Sequence, residues 1–229
     1  MTAIRDEIMA KFHRQNDPWS GLTGDGGPAQ IQGWNSNHPW LRQAVAEEPR
    51  WPQIVVEIGV WKGASVANMA DEMRRQGING VVIAVDTWLG SSEHWWFDHL
   101  APELPGLYHE FLTNIAKAGL IEYVVPLRLD SLNAARLMRL HQIQADVIHL
   151  DAGHDYGSVF GDLNEWWPLL KPGGLYLGDD YHVDGSHFLE VKVATDHFLT
   201  AAGHLPSLQA SNGKCRVRKS GVDEPIRQP

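Results

Sequence analysis

Cysteine is nearly absent. Cys215 is the single one in 229 residues, which excludes an internal disulfide and a thiolate cage for a metal, and leads to the expectation of a reducing, cytoplasmic setting. Long apolar runs are missing too. None approaches the ~20 residues of a membrane span, so no membrane partner is expected. The opening residues, "MTAIRDEIMAKFHRQ", alternate charged and apolar side chains and carry neither a signal-peptide nor a transit-peptide pattern. Positive charge is also scarce: 19 Lys and Arg stand against 28 Asp and Glu, for a formal net charge of −9. A nucleic-acid groove needs dense Lys and Arg, so no nucleic-acid partner is expected. The one basic run, "KCRVRK" at 214 to 219, reads as a surface strand with its charges outward. Internal repeats and low-complexity tracts are absent.

The apolar pattern is what organises the chain. Ile4, Ile8, Met9 and Phe12 recur at helical spacing, and a second helix is expected from Pro39 through "WLRQAVAEE". The loop "DPWSGLTGDGGP" separates them, and Pro49 and Pro52 close this N-terminal section. From residue 53 onward strands and helices alternate. "IVVEIGV", "VVIAVD", "YVVPLRLD", "DVIHLD" and "GLYLGDD" read as strands; "ASVANMADEMRRQ", "LYHEFLTNIAKAG", "LNAARLMRLHQ" and "YGSVFGDLNEWWPLL" read as the helices between them. Phe160, Leu163, Trp167 and Leu170 fall on one face of the last helix. Parallel strands require crossovers, so the order predicts an α/β fold: a doubly wound, Rossmann-like sheet. "HLPSLQASNGKCRVRKS" predicts an antiparallel C-terminal hairpin turning at "SNG". The expected organisation is an N-terminal helical extension at 1–52 that is a candidate lid, one catalytic domain at 53–220, and a tail at 221–229.

The strand ends carry acids. Glu57 lies in the first strand; Asp86, Asp130, Asp151 and the doublet Asp179–Asp180 end the next four. Ligands of open parallel sheets bind beyond those ends. "VEIGVWKGAS" places Gly59 and Gly63 in a Gly-x-x-x-Gly turn, with Ser65 opening the helix. It lacks the middle glycine of the dinucleotide fingerprint, and an acid precedes it. A pyrophosphate disfavours that acid, whereas a cationic ligand tolerates it. Asp86 stands where an acid accepts from ribose hydroxyls, and Asp130–Ser131 is placed to bond an adenine amine. The cationic nucleoside with ribose and adenine is S-adenosylmethionine.

"VEIGVWKGAS", "VIAVDTW", "LRLDS", "DVIHLDAGHDYGSVFGDL" and "LLKPGGLYLGDDYH" together resemble the successive motifs of class I S-adenosylmethionine-dependent methyltransferases. More narrowly they resemble the metal-dependent O-methyltransferase branch that modifies natural-product sugars of macrolide (macrocin) and aminocoumarin type and includes cephalosporin-hydroxylase-like proteins. The resemblance covers residues 53 to 185. It implies cofactor contacts from Glu57, Gly59, Gly63, Ser65, Asp86, Trp88, Asp130 and Ser131. It also implies a divalent cation, Mg²⁺ by the hard all-oxygen character of the set, on Asp151, Asp179 and Asp180, with Asp151 as the base.

Other readings stand beside this one. Asp is common after strands and at helix caps, so the doublet is also readable as a turn. His149, inside an apolar strand, reads as a hydrogen-bonded core residue. His154 and His182 lie in rim loops, placed as general bases or substrate contacts; a histidine-containing site for Fe²⁺ or Mn²⁺ is the alternative to Mg²⁺. Trp88 is placed to pack on adenine, Trp95 and Trp96 to roof a substrate or fill a seam, and Trp166 and Trp167 to fill the core. The expected activity is O-methylation of a small hydroxylated molecule, such as a sugar or vicinal diol. The alternatives are a metal-independent methyltransferase, acting on oxygen or nitrogen with a His base, a nicotinamide-dependent oxidoreductase, or a non-catalytic binding protein. A homodimer is the expected assembly.

Overall fold

The computed structural model describes residues 2–22, 31–185 and 187–221. The chain forms two compact units, Met1–Asp130 and Ser131–Pro229. Residues 23–28 of the expected N-terminal loop and 222–229 of the expected tail lie outside the described residues. Among the described residues, no helix is long and apolar enough to cross a membrane.

In the first unit α1 (Ala3–His13) and α2 (Pro39–Ala46) precede β1 (Gln53–Ile58), α3 (Ala64–Gln76), β2 (Gly80–Asp86), α4 (Ser92–Trp96), α5 (Leu107–Lys117) and β3 (Val124–Arg128). The strand order is β3-β2-β1, all parallel, with Val56 opposite Ile83 and Ile83 opposite Val125. All six residues of β1 are buried, which is why, after Gln53, "IVVEI" reads as an apolar run interrupted only by Glu57. Thr2 caps α1 by accepting from the Arg5 N–H, and its own hydroxyl donates to the Gly80 carbonyl, pinning the helix to β2. At its other end His13 Nε2 lies 2.7 Å from the Pro126 carbonyl of β3. α2 packs on α3, where Arg42 reaches Asn68, Asp71 and Glu72. α3 has the bounds its glycines predict: Gly63 and Gly77 flank it in the left-handed region, and the Ile78 N–H closes the C-terminal turn on Met73.

The second unit contains α6 (Ser131–Leu140), β4 (Ala145–Leu150), α7 (Tyr156–Trp166), β5 (Leu170–Gly178), α8 (Leu189–Ala201), β6 (Gln209–Ser211) and β7 (Lys214–Arg218). Its strand order is β4-β5-β7-β6. β4 and β5 are parallel, whereas β7 is antiparallel to both β5 and β6. The hairpin turns at Asn212 and Gly213, whose φ values of 48° and 79° are those of the primed turn that Asn-Gly favours.

Several expectations are corrected. Helix α7 stops at Trp166 and tightens into a 3₁₀ turn over Trp167–Leu169, because Pro168 has no N–H to continue an α-helix. Leu170 therefore opens β5 instead of lying on a helix face. β3 ends at Arg128; the Leu129 N–H bends back to the Leu127 carbonyl, so Asp130 stands beyond the strand and exposed. The residues before "SNG" form a 3₁₀ turn and only a short strand. Helix α8 is an element that the reading above lacks. The basic run is corrected as well: Lys214 and Lys219 are buried and only Arg218 among its charges is exposed. Trp166 and Trp167 are core residues, as expected.

Candidate functional site

The first unit presents the glycine turn between β1 and α3. Gly59, Trp61 and Gly63 all have positive φ, 84°, 53° and 92°. Asp86, the last residue of β2, holds this turn. Its Oδ2 accepts from the N–H groups of Val60 and Trp61 at 2.8 and 3.0 Å, and its Oδ1 from that of Trp88 at 2.7 Å. A carboxylate has about four acceptor positions, so Asp86, half-buried, retains capacity for a ligand hydroxyl while organising the turn. Glu57 is fully buried, and the Ser65 hydroxyl donates to its Oε1. The structure thus brings Glu57, Gly59, Gly63, Ser65 and Asp86 together around one turn.

Two expected cofactor contacts have their side chains engaged with other residues of the chain. Trp88 is 1% exposed and packs on Tyr108 and Phe111, with ring centroids at 4.8 and 4.7 Å; its Nε1 donates to the Trp61 carbonyl. No face of that indole is left for an adenine. In the second unit the Ser131 hydroxyl donates to Asp162 and accepts from Trp166 Nε1, which makes it a brace between α6 and α7. Gly63 also has a packing reason: a Cβ there would lie 2.8 Å from the Phe111 ring. Trp61, to which the sequence reading assigned nothing, stacks on His94 with centroids 4.4 Å apart and meets Trp34 at 5.6 Å. Trp95 and Trp96 are 58% and 78% exposed on α4 and fill no seam. Beside Trp61, burial opposes the charge of Lys62, but Glu103 and Glu110 override it and raise its pKa.

The second unit presents the acids. Leu150 pairs with Gly178, and the Asp179 N–H donates to the Leu150 carbonyl, so the residues that follow β4 and β5 emerge together. Asp180 has φ of 54°, a left-handed conformation that Asp tolerates better than most residues. That conformation splits the doublet. Asp179, 5% exposed, forms an ion pair with Lys214, a fully buried residue of β7. Lys214 Nζ also lies 3.2 Å from Nε2 of His149, which is buried in β4 as a core residue, as the sequence suggested. Asp180 instead faces His154, with Nε2 and Oδ2 3.1 Å apart, and His182 at 3.8 Å. The His154 ring is stacked on Phe188 at 4.1 Å.

Among the described residues, two groups can converge on a cation: His149, Asp151 and Asp179, and Asp151, His154 and Asp180. Donors around one ion lie at most about two bond lengths, ~4.2 Å, apart. In each group the donor atoms are within 4.8 Å of one another, so a small closure suffices. The Lys214 ammonium already sits against Asp179 and His149 of the first group. A dication ~4 Å from it would be opposed by roughly 8 kcal/mol at an effective dielectric of about 20. The second group has no lysine paired with it among the described ion pairs and is the better candidate to hold a cation. Nearby thiol chemistry is closed off: burial pushes the Cys215 thiol up to about 12, leaving no thiolate at neutral pH.

Alternating strands and helices with acids at the strand ends define a Rossmann-like α/β fold with a ligand rim beyond its strands. The sequence profile described as a methyltransferase domain matches residues 56–181, more than half of the chain, and the chain belongs to that family. It is an S-adenosylmethionine-dependent methyltransferase. No curated protein matches it in sequence. Among solved structures it is similar to the O-methyltransferase NovP, with a TM-score of 0.60 and 20% identity over 79% of this chain and 78% of that one. It is also similar to the O-methyltransferase from Bacillus cereus in complex with SAH, with a TM-score of 0.54 and 17% identity over 95% and 98% of the two chains. The MycE methyltransferase of the mycinamycin pathway, in complex with Mg, SAH and mycinamycin VI, gives a TM-score of 0.50 and 17% identity over 82% of this chain and 50% of its own.

Proposed function

We propose that the protein transfers the methyl group of S-adenosylmethionine to a hydroxyl oxygen of a small molecule, with a divalent cation held by residues that include Asp151 and Asp180. The observation that carries this reading is the meeting of Asp151, His154 and Asp180 beyond β4 and β5. A bound dication supplies Lewis acidity that eases loss of the acceptor's proton. The sulfonium cofactor supplies the methyl group, so the chain's own work is to bind, orient and deprotonate. Glu57, Gly59, Gly63, Ser65 and Asp86 serve the donor, with Asp86 as the ribose acceptor; Asp130, exposed past β3, serves the adenine. Asp151 serves as the base, and His182 contacts the acceptor. The O-methyltransferase neighbours, MycE in complex with Mg and mycinamycin VI among them, support a hydroxylated acceptor of natural-product type.

The test is transfer of radiolabelled methyl from S-adenosylmethionine to a panel of sugars and vicinal diols, with and without EDTA. Product labelled on oxygen, lost on chelation and restored by a divalent cation, is the expected result; methylation on nitrogen, or turnover indifferent to EDTA, sinks the proposal. One specific contact favours a second reading. The 3.1 Å approach of His154 Nε2 to Asp180 is the geometry of a base oriented by a carboxylate, which would act without metal. EDTA-insensitive O-methylation that is lost in His154→Ala selects this second reading.

A further inference from the structure

We propose that Lys214 removes Asp179 from the cation site, so that His154 completes the ligand set with Asp151 and Asp180 and the site prefers Mn²⁺ or Fe²⁺ to Mg²⁺. This inference rests on the reading above that a divalent cation binds beside Asp151. It concerns a residue that the sequence placed on the surface. Lys214 is 0% exposed at the start of β7, and its ammonium meets Asp179 and His149. An ammonium buried that deeply needs a full counter-charge, because desolvation of a lone ion in the interior is severe. Among the described residues, Asp179 is the carboxylate paired with it. A carboxylate cannot give its charge to both the ammonium and a dication without bringing those two cations side by side.

The backbone enforces the same division. Asp179 N–H is fixed to the Leu150 carbonyl, Tyr181 N–H to the Gly213 carbonyl of the hairpin turn, and Asp180 between them takes the left-handed conformation. The two side chains therefore belong to different groups, and Asp151 is the member the groups share. The Phe188 stack fixes the plane of the His154 ring while Nε2 addresses Asp180. With Asp179 withdrawn, the donors are two carboxylates and one imidazole nitrogen. Oxygen-only sets suit Mg²⁺; an imidazole shifts the preference to the first-row transition ions.

The experiment measures binding of MnCl₂ and MgCl₂ by calorimetry and the echo-modulation spectrum of bound Mn²⁺, on the full chain without acceptor. The wild type is expected to bind Mn²⁺ at least tenfold more tightly than Mg²⁺, with nitrogen coupling from a directly bound imidazole. His154→Ala is expected to lose that coupling and at least tenfold in Mn²⁺ affinity. Asp179→Asn with Lys214→Met, a neutral pair that avoids stranding a charge, is expected to keep Mn²⁺ affinity within about threefold. A tenfold loss in that double variant, preference for Mg²⁺, or no nitrogen coupling in the wild type overturns the inference while leaving cation-assisted transfer standing. No divalent cation bound at all overturns both.

Discussion

Lys214→Met should be among the most damaging single substitutions in the second unit. The methyl thioether fills much of the lysine's volume, so packing changes little. What remains is Asp179, 5% exposed and without its ammonium. Breaking a buried ion pair from one side typically costs about 3–5 kcal/mol, whereas replacing both partners with uncharged groups is close to neutral. In a chain of this size each kcal/mol is worth about 2–4 °C of melting temperature. Lys214→Met alone should therefore melt roughly 6–20 °C below wild type. The pair Asp179→Asn/Lys214→Met should recover most of that loss. Chemical unfolding followed by tryptophan fluorescence would give all four corners of the double-mutant cycle, with a coupling of about 2–3 kcal/mol expected. The reasoning is refuted if Lys214→Met unfolds within about 1 kcal/mol of wild type, since the ammonium would then not be what holds the Asp179 charge in the interior.

Other consequences can be checked as directly. Gly63→Ala forces a side chain into a φ of 92° and a Cβ to within 2.8 Å of Phe111; strain and overpacking together should cost about 2–4 kcal/mol and lower the melting temperature accordingly. Asp86→Ala removes the acceptor of three backbone N–H groups in the turn after β1 and in the residue pair after β2. It should weaken S-adenosylhomocysteine binding by about tenfold or more in calorimetry, and unchanged affinity would remove Asp86 from the donor site. His13 has its pKa lowered, mainly by burial. The unfolded chain therefore takes up the proton first, so stability is retained above the ordinary histidine range and falls as pH drops through it. Unfolding titrations between pH 7.5 and 5 should show that decline, and His13→Gln should flatten it.

The parts of the fold that were legible share a local cause. Gly63 and Gly77 bracket α3 because each must take a left-handed conformation, and Asn212–Gly213 sets the hairpin for the same reason. The alternation of apolar strands and helices is likewise written in short windows. Helix α8 was equally legible in principle: its buried Val191, Ala194, Thr195, Phe198 and Leu199 keep helical spacing. Its β-branched residues and the lack of an N-terminal capping signal at Phe188 conceal it. The site divides in the same way. Acids at strand ends are a local signal, and five of the expected donor residues do meet around one turn. The roles of Lys214, Ser131 and Trp88 are decided by partners far off in sequence or by packing. The alternation of Lys214, Arg216 and Arg218 looks like a solvated face, but the first of them, at the start of β7, is buried against Asp179 and His149.

The left-handed residue between Asp179 and Tyr181 has a consequence for how this chain can change. It makes the doublet two independent positions instead of one motif. Asp179 answers to the hairpin through Lys214, and Asp180 answers to the loop that carries His154. Substitutions at His154 can therefore retune the chemistry of the rim while the inner ion pair keeps holding the last strands together. Conversely, a hairpin that drifts in sequence must keep one lysine, although that lysine touches no part of the proposed reaction. An engineer who varies His154 therefore works on a loop, with the scaffold beneath it already tied.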